Sequence, residues 1–198
     1  MYYDYITNNL KLMAMKKILS TIILLASVAL CQGQTIETEV IKQINKIRLE
    51  NGGPDKGLSS FVRNARLDSA ARYHAKWIVA SGTGGHTETK SAGGIKPLPE
   101  FWDRAAKYGA VAYAENLIQY CFYVKSGNSI DATKTATAAV IAWKKSPGHL
   151  ANMLYTMPRQ VEPRIGVAVV PYPNSDEFCI VMVVGANVDA TGQIIKAF

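Results

Sequence analysis

Residues 143–154 read W-K-K-S-P-G-H-L-A-N-M-L, and the centre of the stretch, Ser146-Pro147-Gly148-His149, decides how the rest is arranged. An alanine- and threonine-rich run before it, from Asp131 to Lys145, has the composition and capping residue of a helix. Pro147 cannot continue that helix regularly, because it lacks an amide hydrogen and its ring crowds the preceding turn; Gly148 permits a sharp change of direction. His149 then opens a second short helix, H-L-A-N-M-L. A ring on the first turn of a helix can face a cleft, so the break aims a titratable side chain.

Outward from this break, the helical and strand periods alternate in one order along the chain. Thr35 caps a helix with apolar positions Ile36, Val40, Ile41, Ile44 and Ile47, stopped by Asn51-Gly52-Gly53. A second helix is expected from about Leu67 to Ala80, with Leu67, Ala71, His74, Ala75 and Ile78 on one face. A glycine-rich loop, 81–94, carries His86, and Pro99 opens a short helix over 100–108. Late in the chain, 164–170 and 177–186 are nearly continuous apolar runs split by the turn P-Y-P-N-S-D. Strands that are apolar on both sides are covered on both faces. The reading is an α/β fold, a three-layer α-β-α sandwich around a small, mainly antiparallel sheet.

The chain has 198 residues, 48% of them apolar and 19% charged, which suits one globular domain with a substantial core. Met15-Lys16-Lys17 followed by the apolar run 18–30 reads as a secretory signal over residues 15–33, with 1–14 an upstream extension or alternative start and 35–198 the single domain. This predicts an extracellular or periplasmic protein. Cys31 at the end of the run offers an alternative, a lipoprotein anchored to a membrane through that residue. The net charge is +7, but the basic residues are scattered singly apart from Lys144-Lys145 within the domain, so no nucleic-acid-binding patch is expected. Cys121 and Cys179, 58 residues apart, would remain after export; an even pair in an oxidising compartment suggests a disulfide worth about 4 kcal/mol, against two simply buried thiols.

Few residues are candidates for chemistry. His74 falls on the buried stripe of the second helix and reads as a hydrogen-bonded core ring. His86 sits where packing does not require a histidine. Glu115, in A-Y-A-E-N-L, enters an apolar strand-like segment and therefore needs a donor or a cation as partner. No serine or cysteine stands out as a nucleophile.

W-K-K-S-P-G-H-L-A-N-M-L, A-E-N-L before it, I-G-V-A-V-V after it, the pattern Leu67-x-x-x-Ala71-x-x-His74-Ala75 and the F-W-D-R-A segment together resemble the CAP superfamily in its bacterial S-P-G-H form. These are the SCP-like domains shared by cysteine-rich secretory proteins, antigen 5 and pathogenesis-related proteins, and the resemblance spans about residues 38–188. It implies an α-β-α sandwich with an open cleft lined by His86, His149 and Glu115, with Asn116 and Ser146 beside them. Members of the eukaryotic type have a second glutamate where this chain has Ser146, which reduces the acidic set. Three functions follow as expectations: a binding module for a divalent metal such as zinc (held by His86 and His149 with Glu115), a lipid or sterol, or a cell-envelope component; a secreted hydrolase or peptidase using the same three side chains; or an interaction scaffold with a vestigial cleft.

Overall fold

The structure, a computed structural model, describes residues 35–195 apart from Arg159 and Ala190. The expectations for the extension 1–14, the signal 15–33 and lipidation at Cys31 lie outside the described residues.

Helix α1 (Ile36–Glu50) buries the expected stripe of isoleucines and Val40. It also buries Arg48, whose guanidinium donates to Ser59 O at 2.9 Å, Met153 O at 3.0 Å and Tyr155 O at 2.9 Å, and lies 3.8 Å over the Phe61 ring. Burial lowers its pKa to about 10, so Arg48 is still a cation at neutral pH, and it staples α1 to the segment following residue 153. Helix α2 (Ala65–Ser81) begins two residues earlier than its periodicity indicates, because the Asn64 side chain accepts from the amides of Arg66 and Leu67. Gly82, at φ 67°, ends it in the left-handed conformation. Helix α3 (Phe101–Lys107) is capped by Glu100 and Asp103, and helix α4 (Ala132–Lys144) by Asp131, whose carboxylate accepts from the Lys134 amide at 2.9 Å. Helix α5 (Pro147–Met153) follows the break at once.

The main sheet has the order β1 (Val62–Arg63), β5 (Arg164–Pro171), β6 (Glu177–Asn187), β2 (Ala110–Phe122); β3 (Lys125–Ser126) and β4 (Ser129–Ile130) form a separate hairpin. Only the two-residue β1 is parallel to its neighbour; β5, β6 and β2 are antiparallel. Alternation along β6 explains its unbroken apolar sequence. Phe178, Ile180, Met182 and Val184 face a core shared with α1, α4 and α5, whereas Cys179, Val181 and Val183 face a second core under α2 and α3. This is the expected three-layer α-β-α sandwich. Helix α2 lies so close to β5 that a Cβ on Gly166 would come within 2.1 Å of the Leu67 carbonyl carbon, and Asp68 there accepts from the Val167 amide at 2.8 Å.

The same alternation overturns the disulfide expectation. Cys121 is paired across β2 and β6 with Phe178 and belongs to the first core, while Cys179 points into the second, so the sheet lies between their side chains. Both thiols are free and buried, and burial, with the charge of Glu115, pushes Cys179 up to about 12. Two outcomes follow. The mass of residues 35–198 is unchanged by reductant, and both thiols react only after unfolding; a shift of two hydrogens on reduction would contradict this geometry. Gly166→Ala lowers stability by about 3 kcal/mol in urea unfolding, because the strand-to-helix contact has no flexible side chain to give way.

Candidate functional site

The helix break works differently from its sequence reading in one respect. Ser146, at φ −99° and ψ 120°, is the extended residue that turns the chain, and Pro147 and Gly148 already belong to α5. A Cβ on Gly148 would meet nothing within 4 Å, so no steric demand for glycine exists there. The function of the break stands: His149 falls on the first turn of α5, half-buried. Two asparagines fix α5 against β2. The Asn116 amide donates to His149 O at 2.9 Å, and Asn152 donates to Glu115 O at 3.0 Å and to Asn116 Oδ1 at 2.9 Å. Asn116 is completely buried in this clasp, so it positions His149 instead of lining a cleft as expected.

His86 is delivered by the loop after α2. The loop presses on β2: at Gly84 a Cβ would come within 2.3 Å of the Gln119 side-chain oxygen, and Gln119 in turn donates to Gly82 O at 2.9 Å. The His86 ring then reaches Glu115, with Nδ1 to Oε1 at 2.9 Å. Its side chain is 49% exposed, whereas that of Glu115 is 1% exposed.

Below this contact lies a set of buried charges only partly legible in the sequence. Arg104 Nη2 donates to both Glu115 oxygens at 3.0 Å and to His86 O at 2.9 Å; its Nη1 donates to Leu98 O and Pro99 O. Glu88 accepts from the Leu98 amide at 2.8 Å and lies 3.7 Å from Arg104 Nη1. His74 is the hydrogen-bonded core ring expected of it, with Nδ1 2.9 Å from Glu88 Oε1 and Nε2 2.9 Å from Gly85 O. Both of those partners are acceptors, so both ring nitrogens donate and the ring is a cation. Two cations, His74 and Arg104, thus neutralise two carboxylates, Glu88 and Glu115, inside the protein. Burying such charges costs several kcal/mol each unless they are paired and hydrogen-bonded, and here all four are.

Glu115 shows the balance. Burial alone would raise its pKa, but the hydrogen bond from His86 and the charges of His74 and Arg104 hold the carboxyl below the usual range. An ionised carboxylate only accepts, so the His86 Nδ1 donates in this contact, and Nε2 is the ring nitrogen that Glu115 does not engage. His149 is held below its usual range, first by burial and then by the nearby His86, so it is neutral at pH 7. The structure therefore brings His86 to Glu115 and puts His149 within the electrostatic field of His86, while Glu115 does not tie the two rings directly.

A metal held by His86, His149 and Glu115 does not fit this arrangement. Both Glu115 oxygens accept from Arg104 and one also from His86, which makes the carboxylate an orienting group and removes it as a ligand. Among the described residues no three of histidine, cysteine, aspartate and glutamate are grouped so as to hold an ion. Ser146, half-buried at the start of α5, makes no side-chain cap bond there. Glu88, Arg104 and Asn152 are the members of the site that sequence reasoning missed. Arg104 lay in the F-W-D-R-A segment, and a buried Glu115 already demanded a cation; what was missing was the knowledge of which one.

A model of the cysteine-rich secretory protein family, CAP, matches residues 41–184, which include His74, His86, Glu88, Arg104, Glu115 and His149. Among solved structures, the chain is similar to a 1.5 Å crystal structure of an extracellular protein containing a SCP domain from Bacillus anthracis, with 16% identity and a TM-score of 0.47. That similarity covers 75% of this chain and 40% of the other, so the chain spans well under half the length of the protein it matches. No curated protein matches it. With the family match running from α1 through β6, the chain belongs to the CAP, or cysteine-rich secretory protein, family.

Proposed function

We propose that the protein is a secreted binding module whose cleft receives a hydroxyl-bearing ligand, such as a sterol, another lipid or a cell-envelope component, on His86 and His149. One observation carries this reading: His86 is anchored at Nδ1 by a buried, ionised Glu115 while half of its side chain is open to solvent. A ring fixed in this way presents Nε2 to a ligand's hydroxyl, which can donate or accept, with little orientational entropy left to lose. The second ring, His149, neutral and half-buried, adds a hydrogen-bond acceptor to the same site. Among the described residues no helix is long and apolar enough to cross a membrane; export is argued from the N-terminal sequence.

The anchored ring also favours a second reading, since a histidine held by a carboxylate can take a proton from water as a general base. That hydrolase reading lacks a placed nucleophile and an oxyanion partner, so it ranks second. A zinc site, with two imidazoles and no third protein ligand, would be weak and would depend on the ligand's own atoms.

Binding is tested with soluble cell-wall glycan fragments and with a hydroxysterol in micelles, by calorimetry at pH 7.5. His86→Ala and His149→Ala each weaken the active probe by about ten-fold, the worth of one good hydrogen bond. Equal binding by wild type and both variants would remove the cleft from the function. A peptide-library screen decides the hydrolase: cleavage lost in His86→Ala supports it, and cleavage equal in both proteins is contamination. Sub-micromolar zinc binding abolished by both alanine variants would overturn the donor-set argument.

Stability responds to pH in two windows. His149 has a lowered folded pKa, so the unfolded chain binds its proton first; its share of stability is full above about 6.5 and declines as pH falls from there to the folded value. Glu115 has a lowered folded pKa as well, so its share is present above 4.5 and is lost as pH falls through the folded value. Arg104→Met, which strands the Glu115 carboxylate, lowers stability by about 3–5 kcal/mol at pH 7 and by less near pH 4, measured by urea unfolding at both pH values.

A further inference from the structure

The basic residues that look scattered in sequence are not all scattered in space. On the outer face of α2, Ser69, Arg72, Tyr73 and Lys76 follow one another at helical spacing, with Arg72 and Lys76 one turn, about 6 Å, apart along the axis. With Ile95 and Tyr108 they line an open recess of about 320 Å³, large enough for a small-molecule fragment. Two further cations stand at its rim. Lys107 places Nζ 4.1 Å from the centroid of the Tyr73 ring and 5.8 Å from that of Tyr108. Lys96 belongs to the turn whose carbonyl accepts from the Tyr73 hydroxyl. Three separate segments, α2, the 95–96 turn and the end of α3, thus bring basic residues to this face: Arg72 and Lys76 in its lining, Lys107 against its tyrosines, and Lys96 next in sequence to Ile95. Among the described residues the only carboxylate in ion-pair reach of any of them is Glu37, 3.7 Å from Arg72. No carboxylate lines the recess.

The two halves of the recess differ in chemistry. Arg72 and Lys76 present donors that suit a phosphate or carboxylate, while Ile95 and the edge-packed Tyr73 and Tyr108 rings, 6.5 Å between centroids, form an apolar wall. A bare inorganic anion would leave that wall unused. A membrane surface is a poor match for a concave site, because the large exposed apolar side chains that would enter a bilayer, such as Trp102, Phe122 and Ile141, do not line it. We propose that this recess is a second binding site, on the outer face of α2 and built from residues other than those of the histidine cleft, for an acidic sugar unit: its phosphate or carboxylate on Arg72 and Lys76, its carbon face on Ile95 and Tyr108. The chemistry is shared by sugar phosphates and uronic acids, and extended anionic glycans carry either.

The test is a titration of the intact domain, followed by amide chemical shifts and calorimetry at low salt, with glucose 6-phosphate, glucuronate, glucose, inorganic phosphate and phosphatidylglycerol vesicles. The expected result is binding of at least one of the two acidic sugars, with shifts centred on residues 69–76 and 95–108, and glucose and inorganic phosphate each weaker by about ten-fold or more. Arg72→Gln and Lys76→Gln each weaken the acidic sugar by about ten-fold; Lys134→Gln, the same charge change on α4 in the opposite helical layer, and His86→Ala leave it unchanged. Lys76 is exposed and free of any ion pair among the described residues, so Lys76→Gln carries the test if Arg72→Gln perturbs α2 through Glu37. The proposal is overturned if neither acidic sugar binds, if inorganic phosphate binds as tightly, if Lys76→Gln binds like wild type, or if only the vesicles bind. Because His86→Ala is a control here and the probe variant in the cleft experiment, failure of either site leaves the other readable.

Discussion

The pairing of Arg104 with Glu115 is the contact on which the site depends. A carboxylate buried on the edge strand β2 is tolerated only with a compensating charge, and the guanidinium supplies it through two hydrogen bonds of 3.0 Å to the same carboxylate. Arg104 also donates to the backbone carbonyls of His86, Leu98 and Pro99, so one side chain on α3 holds both ends of the loop that carries the exposed histidine. His74 and Glu88 complete the set, and the four charges sum to zero. Opposite charges that balance and are each held by hydrogen bonds are rigid, because any displacement exposes an unpaired ion to a dry interior; of the Arg104 guanidinium only Nε is left without a partner. That rigidity is transmitted to His86 through Glu115.

The rest of the architecture serves to hold this charge set between two dry layers. β6 has apolar residues on both faces and is covered on both, which removes water from the strand next to Glu115. The register that separates Cys121 from Cys179 across the sheet also pairs Glu115 with Val183, an apolar neighbour on the dry central strand. Asn116 and Asn152 couple β2 to α5, so the orientation of His149 is set by side-chain amides bonded to backbone and to each other. The two histidines are therefore held by different devices, one electrostatic and one of neutral hydrogen bonds. Their responses to acid differ accordingly: protonating Glu115 releases the anchor of His86 without touching the amide clasp at His149.

Much of this was legible in the chain. Periodicity located α1 through its isoleucines, α4 through Asp131 and its alanines, and the strands 164–171 and 177–187 through their continuous apolar runs, and these elements alone led to a three-layer sandwich. His86, Glu115 and His149 were singled out because each is a polar residue where packing alone would not choose one, and the structure brings His86 and Glu115 into contact with His149 close by. Asn116 was expected beside the cleft residues; strand alternation turns it to the other face from Glu115, where it is buried. The suspected disulfide failed for the same reason: parity along two paired strands decides which face a thiol occupies, and pairing register is not written in either strand alone.

What the sequence determined by itself was local: where helices begin and end, which strands are covered on both faces, and that a lone glutamate inside an apolar strand needs a partner. Hydrophobic period and capping chemistry act over a few residues, so a linear reading captures them. The tertiary structure decided the partners. Glu115 takes Arg104 from a helix eleven positions earlier and His86 from a loop twenty-nine positions earlier, and Arg72, Lys76, Lys96 and Lys107 come together from three segments that share no sequence signal. Charges interact through space and not along the chain, so which of them meet is settled only when the layers pack.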